Sequence, residues 1–331
     1  MKPSLAQKIK AKIYSLQEAM GLRYYTRTQR YHVQHITRVK NVRAISNDVS
    51  LIIPLPNNYF YQKVTSDLDC SIEPSQYNID KINENYYGIW NIGLRPDETK
   101  EISLQYDVLI GPREMEIENE LTLDDYEIDD EYKLYTRSSD SVQLNSAKLA
   151  VVSQNIAIGV NKISEIINAI NEYVIDGLRY GNKIRGLHSS EFALMNGCVD
   201  CGGFDTLFIA FCRIKGIPAR LVSGFWAGKT DGSANVAGDS MHAWVEIMLP
   251  DKTWIGADPA SEHLRRQSRI KRSGRLGFLG SDRIALSVDC DFKIQVFDTV
   301  FEVPILQHAF LANQTQAHDI IMSTEYRTKK K

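Results

Sequence analysis

The sequence predicts an α+β fold: an N-terminal β-sandwich over residues 1–140, then a second domain over 141–331 in which a helix carrying a cysteine packs on an antiparallel sheet. Three observations predict it. Short β-prone runs separated by turn residues fill residues 24–110. Apolar residues then recur at helical spacing from Ser146 to about Tyr180 and again after Cys201. From Met241 the pattern becomes an alternation of period two.

Residues 3–20 read as a short amphipathic surface helix (Leu5, Ile9, Ile13, Leu16). Strands follow at Tyr31–Val42, at Val49–Leu55, which ends in Pro-Leu-Pro, and at Tyr86–Leu94, which the turn residues Arg95, Pro96 and Asp97 close. Ile102, Leu104, Tyr106, Val108 and Ile110 alternate cleanly. The acidic stretch 114–131 is expected to be a solvated linker near the domain boundary; it lacks the glycine and the spacing of a calcium loop. Its tyrosines, Tyr126 with the nearby Tyr132 and Tyr135, point to packing on a neighbour. Ile156, Ile163, Ile166, Ile167, Ile170 and Val174 mark the core face of one helical run from Ser146 to about Tyr180. Gly181–Ser190 reads as a loop with His188 on its surface. Gly228–Asp239, rich in small residues, reads as a loop near a cleft: a lid, a substrate contact or a plain surface loop. Arg265, Arg266, Arg269, Lys271, Arg272 and Arg275 form a basic segment expected to be solvated. Gly280–Val296 returns to β, 297–311 is apolar enough to pack, and the basic tail from Arg327 to Lys331 is expected to be disordered.

The chemistry concentrates between Gly197 and Pro259. Asp200 precedes Cys201; Gly202 and Gly203 follow, then Phe204, Leu207, Phe208, Phe211 and Ile214 at helical spacing, with Gly216 as the stop. Cys201 therefore opens a buried helix. There the dipole and unpaired N–H groups favour a thiolate and could hold a developing oxyanion. Other readings of Cys201 are an inert buried cysteine, a ligand in a C-x-x-C metal motif with Cys198, or a redox pair with it. The remaining cysteines (Cys70, Cys212, Cys290) are scattered, so no metal ligand set and no cofactor is expected.

Met241–Leu249 alternates, with His242, Trp244, Glu246 and Met248 on one face. Pro250, Asp251 and Lys252 carry turn chemistry, and Thr253–Ala257 reads as the return strand. A turn centred on Asp251 places Asp258 opposite Trp244, on the face of His242 and roughly 7–8 Å from it backbone to backbone. Cys201, His242 and Asp258 are then candidates for nucleophile, base and orienting group.

At these residues the chain resembles the transglutaminase-like superfamily of cysteine peptidases. The matching pieces are D-C-G (200–202), L-F-I-A-F-C-R-I-K-G-I-P-A-R-L-V-S-G (207–224), H-A-W-V-E (242–246) and W-I-G-A-D-P (254–259). The resemblance implies a papain/transglutaminase-like core. It also implies Cys201 as nucleophile, His242 as base and Asp258 as orienter of a thiol hydrolase that works through a thioester acyl-enzyme. Val49–Pro56 is similar to a strand of the β-sandwich that often precedes such a core. A protein-glutamine acyltransferase and a non-catalytic binding scaffold remain the alternatives.

Composition limits the partners. A net charge of −2 over 331 residues gives no reason to expect nucleic acid. No apolar run approaches the ~18 residues of a membrane helix, and residues 1–22 lack a signal-peptide core. Five cysteines without framework spacing suit a reducing compartment, so a cytoplasmic location is expected. The expected partner is a peptide or protein substrate.

Overall fold

The computed structural model describes residues 9, 25–227, 236–237, 241–296, 299–312 and 319–331. The helix expected over residues 3–20 (Ile9 apart) and most of the loop at 228–239 lie outside the described residues. The chain divides into two compact units. One comprises Met1–Arg27, Pro112–Val222 and Ala243–Ser281; the other comprises Thr28–Gly111, Ser223–His242 and Asp282–Lys331.

The second unit is a β-sandwich. Its strands are β1 (Gln29–Asn41), β2 (Asn47–Pro54), β3 (Gln62–Val64), β4 (Asp69–Cys70), β5 (Gln76–Ile79), β6 (Tyr86–Leu94) and β7 (Thr99–Ile110). Three more come from distant sequence: β12 (Val236–Ala237), β19 (Phe310–Leu311) and β20 (Ile320–Lys330). One sheet has the order β12-β20-β1-β7-β3, with β4 also on β7; the other has the order β19-β2-β6-β5. Val39, Ile102, Leu104 and Ile320 of the first sheet pack against Val49, Leu51, Ile53, Trp90 and Ile92 of the second. Burying each such aliphatic side chain contributes about 1.5–3 kcal/mol. The far face of the second sheet is also covered: Ile52, Tyr87 and Ile89 meet the hairpin of β17 (Phe292–Val296) and β18 (Thr299–Val303).

The basic tail departs from the disorder expected of it. Residues Ile320–Lys330 pair antiparallel with β1, from Asn41↔Ile320 to Tyr31↔Lys330. Without β20, β1 would expose a long row of unpaired backbone groups. The lysines and arginines that suggested disorder project from an edge-covering strand, and Lys331 Nζ reaches Asp107 Oδ2 at 2.6 Å.

The first unit holds six α-helices among the described residues: α1 (Asp130–Thr136), α2 (Ala147–Asn155), α3 (Ile163–Gly177), α4 (Ser190–Asn196), α5 (Cys201–Ile214) and α6 (Pro259–Arg266). The single run expected from Ser146 to Tyr180 is two helices. Ala157 and Gly159 take left-handed φ values of 52° and 72°, which no helix can accommodate. The acidic stretch is not merely a solvated linker. Asp129 caps α1 by accepting from Tyr132 N (2.8 Å), Tyr126 Oη donates to the Met248 carbonyl (2.7 Å) and Tyr132 Oη to that of Gly216 (3.0 Å). Helix α5 is buried along its length and packs against α2, α3, α4 and α6.

Short pairs complete this unit: β8 (Arg113–Glu114) with β15 (Phe278–Leu279), and β9 (Arg179–Tyr180) with β10 (Cys198–Val199). The chain leaves the unit along β11 (Ala219–Trp226) and re-enters it along β13 (Met241–Met248), which pairs with β14 (Trp254–Ala257). Glu246 on β13 is fully buried between two cations: Arg113 Nη1 lies 2.5 Å from one carboxylate oxygen and Arg220 Nη2 2.7 Å from the other. In the second unit, β16 (Arg283–Val288) runs beside the end of β11. A Cβ on Gly224 would lie 1.9 Å from the Ile284 carbonyl oxygen, so only glycine fits there.

Candidate active site

Helix α5 starts at Cys201 because Asp200 caps it. The Asp200 carboxylate accepts from Gly203 N at 3.4 Å and from Ile184 N at 3.1 Å, which ties the 181–190 loop to the helix start. The first turn sits tightly on β10: a Cβ on Gly203 would lie 2.5 Å from Val199 Cβ. The backbone N–H of Ala243, in β13, hydrogen-bonds to the Cys201 sulfur. Cys201 keeps part of its surface exposed, while its thiol is crowded by protein atoms.

The thiol does not show the lowered pKa expected from a helix N-terminus. Burial pushes it well above the ordinary thiol range, and the charges of Asp200, Asp205 and Asp258 push the same way. The Ala243 N–H acts in the opposite direction but is outweighed. Its surroundings therefore favour the neutral thiol over the thiolate. Asp200→Asn keeps a good cap and removes the charge with the largest effect of the three. It should lower the Cys201 pKa and speed iodoacetamide alkylation of that residue near neutral pH. An unchanged or slower rate, read by mass spectrometry of the Cys201 peptide, would show that Asp200 does not set the thiol's electrostatics.

The hairpin forms in the register the sequence predicts. Val245 pairs with Ala257, Glu246 with Gly256, Ile247 with Ile255 and Met248 with Trp254. Asp258 is the next residue after this ladder, and it is buried. Its Oδ1 accepts from Ser261 N at 2.8 Å, so it also caps α6, whose first residue is Pro259. The sequence reading missed this helix and placed its Arg265 and Arg266 in a solvated segment. Both instead close the last turn of α6 and pair with Glu262, and Arg266 also holds Glu172 at 2.6 Å.

His242 is buried in the second unit, one residue before Ala243 in the chain. Its ring lies 4.2 Å from that of Trp226 at 34°, and its carbonyl accepts from Gln307 Nε2 at 2.8 Å. Trp244 is wholly buried. His188 is not on the surface: it is 5% exposed, stacks on Phe192 at 4.7 Å, and its Nε2 lies 2.8 Å from the Asn182 carbonyl.

Sequence reasoning missed Tyr180. Burial pushes its phenol far above the ordinary value, and electrostatic interaction with Cys201, Asp200 and Asp258 adds to this. It is brought there by the β9–β10 pairing of Tyr180 with Val199, which has no signature in two-residue strands. Arg269, from the basic segment, approaches its ring at 5.8 Å. In the first unit Cys201, Asp258 and Tyr180 thus form one electrostatically interacting group about the N-terminus of a buried helix. Such a cluster can hold a sulfur nucleophile and hydrogen-bond to an oxygen beside it.

Residues 151–259 match the model described as the transglutaminase-like superfamily. Over 66 residues the chain is 33% identical to the uncharacterized protein YebA of Bacillus subtilis; the match covers 18% of this chain and 9% of YebA. The crystal structure named "a Putative Cysteine Protease from Cytophaga hutchinsonii" superposes with a TM-score of 0.58 at 13% identity, covering 93% of this chain and 99% of that one. At that identity the likeness is one of fold. Among the described residues no helix is long and apolar enough to cross a membrane. The segment from residue 151 to 259, which in chain order carries Cys201 as the first residue of α5, then His242, then Asp258 as the cap of α6, thus matches the transglutaminase-like superfamily.

Proposed function

We propose that the protein is a thiol hydrolase acting on peptide or amide bonds, with Cys201 as nucleophile, His242 as base and Asp258 as orienting group. The observation that carries this reading is the Cys201 sulfur at the first residue of α5, hydrogen-bonded by the N–H that follows His242 in the chain. A thiol held protonated by burial and three carboxylates needs proton removal during attack. His242 takes that proton as the sulfur adds to the carbonyl carbon. The tetrahedral oxyanion is met by N–H groups of the first turn of α5. Collapse expels the amine, which takes the proton from the imidazolium, and leaves a thioester. Water, deprotonated by His242, hydrolyses the thioester and frees the thiol. Asp258 holds the imidazole tautomer and stabilises the imidazolium. We place the protein in the cytoplasm, in keeping with five cysteines that show no disulfide-framework spacing.

The test is a mass spectrum of a mixed peptide pool incubated with a primary amine and either wild type or Cys201→Ala. New peptide termini made only by wild type are the expected result. Intact peptides carrying the amine on glutamine would replace hydrolysis by acyl transfer from the same thioester. No change with wild type, together with Cys201 alkylation that ignores His242→Ala, would overturn the enzymatic reading in favour of a binding scaffold.

A further inference from the structure

We infer that Gln307 is a positioning residue for His242, an inference that rests on the reading of His242 as the base. Gln307 lies between β18 and β19, far in sequence from the Cys–His–Asp segment, and is 8% exposed. Its side-chain amide nitrogen donates to two backbone carbonyls at once: that of Gly224 at 2.6 Å and that of His242 at 2.8 Å. A primary amide has two N–H bonds on one nitrogen, so it can bridge two acceptors. The amide cannot be turned over, because its oxygen would then face two carbonyl oxygens.

The bridge is itself anchored. The Gln307 carbonyl accepts from Tyr326 Oη at 2.7 Å. The Tyr326 ring stacks on Phe225 at 4.1 Å and lies 4.4 Å from His35. The preceding carbonyl, of Leu306, accepts from Ser287 Oγ at 3.0 Å, and Ser287 meets Ser223 at 2.7 Å. Three consecutive residues of β11 therefore serve the histidine. Gly224 shares its Gln307 amide, Phe225 packs on the tyrosine that holds Gln307, and Trp226 packs on the imidazole itself.

The consequence for chemistry is geometric. The imidazole hangs from a backbone whose carbonyl Gln307 fixes, and proton transfer tolerates displacements of only about 0.5 Å. Gln307→Met keeps the length of the side chain and removes both donors. Gln307→Glu keeps the shape and sets an acceptor against two carbonyls. Tyr326→Phe removes only the anchor.

The probe is iodoacetamide at neutral pH on the full chain, with alkylation of the Cys201 peptide read by mass spectrometry, alongside the 13C-labelled His242 Cε1–H signal in NMR. The signal is assigned by its loss in His242→Ala. We expect His242→Ala to slow alkylation strongly, Gln307→Met and Gln307→Glu to slow it roughly 10–100-fold, and Tyr326→Phe severalfold. The His242 signal should move in the Gln307 variants while those of His32 and His263 stay in place, which a loss of general stability would not produce. Wild-type alkylation rates and an unmoved His242 signal in both Gln307 variants, with His242→Ala slow, would overturn the inference and leave the base assignment standing. A moved His242 signal with alkylation indifferent to His242→Ala would uphold the positioning and remove the base role.

Discussion

Cys201→Ala should lower turnover by at least about 10³-fold and leave the fold unchanged. On the proposed mechanism the substitution removes the sulfur that forms the thioester. Alanine at the first helical position keeps the Asp200 cap, since that cap bonds to Gly203 N and Ile184 N and not to the cysteine. Circular dichroism and a thermal midpoint within a few degrees of wild type would show an intact fold. Peptide turnover measured on the same sample gives the loss. His242→Ala should be of similar size. Asp258→Asn should cost less in rate, because it keeps the shape but can present the wrong hydrogen to the imidazole. It also retains a side chain able to cap α6. Full activity in Cys201→Ala would remove the nucleophile assignment outright.

The largest effect on stability is expected at Glu246. Its carboxylate is buried between Arg113 and Arg220, and Arg220 in turn stacks over the Trp254 ring at 3.8 Å. Glu246→Gln leaves two cations with no counter-charge in a buried site, at a cost of roughly 3–5 kcal/mol. Replacing all three by apolar residues of similar volume should cost far less, because no buried charge is then left unpaired. Urea denaturation of the single and triple variants makes the comparison; equal losses would show that packing, not charge, sets the value. The pH dependence has a definite sign. Burial pushes the Glu246 carboxyl up, but Arg220 and Arg113 more than compensate, and it ends below its ordinary value of 4.5. A depressed acid contributes stability that is fully present above its unfolded pKa and is lost as pH falls through the folded one. The gap between wild type and Glu246→Gln should therefore be constant above about pH 5 and shrink progressively below about pH 4.5.

Much of the candidate site was legible because its signals are local. Asp200, Cys201 and the two glycines announce a capped helix start within four consecutive residues. The turn at Pro250–Lys252 fixes the hairpin register, and through it the place of Asp258 after the ladder. The β-prone runs of β1, β2 and β6 and the alternating run of β7 build the sandwich. Other features stayed hidden for equally physical reasons. Tyr180 enters the cluster through a pairing of two residues with two. His188 looks like a loop histidine, and only the packing of Phe192 and the Asn182 carbonyl buries it. The helix that Asp258 caps, with Pro259 as its first residue, holds the Arg265 and Arg266 that sequence reads as part of a solvated basic segment.

The thiol illustrates the limit of local reading most directly. Sequence places Cys201 on a helix N-terminus, where the dipole favours a thiolate. Three carboxylates and the density of atoms around the sulfur reverse the direction. Two of those carboxylates, Asp200 and Asp205, are visible on the same helix; the third arrives from β14's end, and burial itself is a property of the whole packing.

By itself, then, the sequence determined the α+β class, the capped helix start at Cys201 and the register of the hairpin that leads to Asp258. These depend on period, capping and turn chemistry over spans of a few residues. The tertiary structure decided what depends on residues far apart in the chain. It set the protonation of Cys201, the closing of the sandwich by Ile320–Lys330 on β1, the Arg113–Glu246–Arg220 cluster, and the bridge from Gln307 to the carbonyls of Gly224 and His242. Electrostatic and hydrogen-bond energies fall off within a few ångströms, so they are set by which side chains meet in space, and contacts between residues dozens of positions apart leave no periodic mark in the sequence.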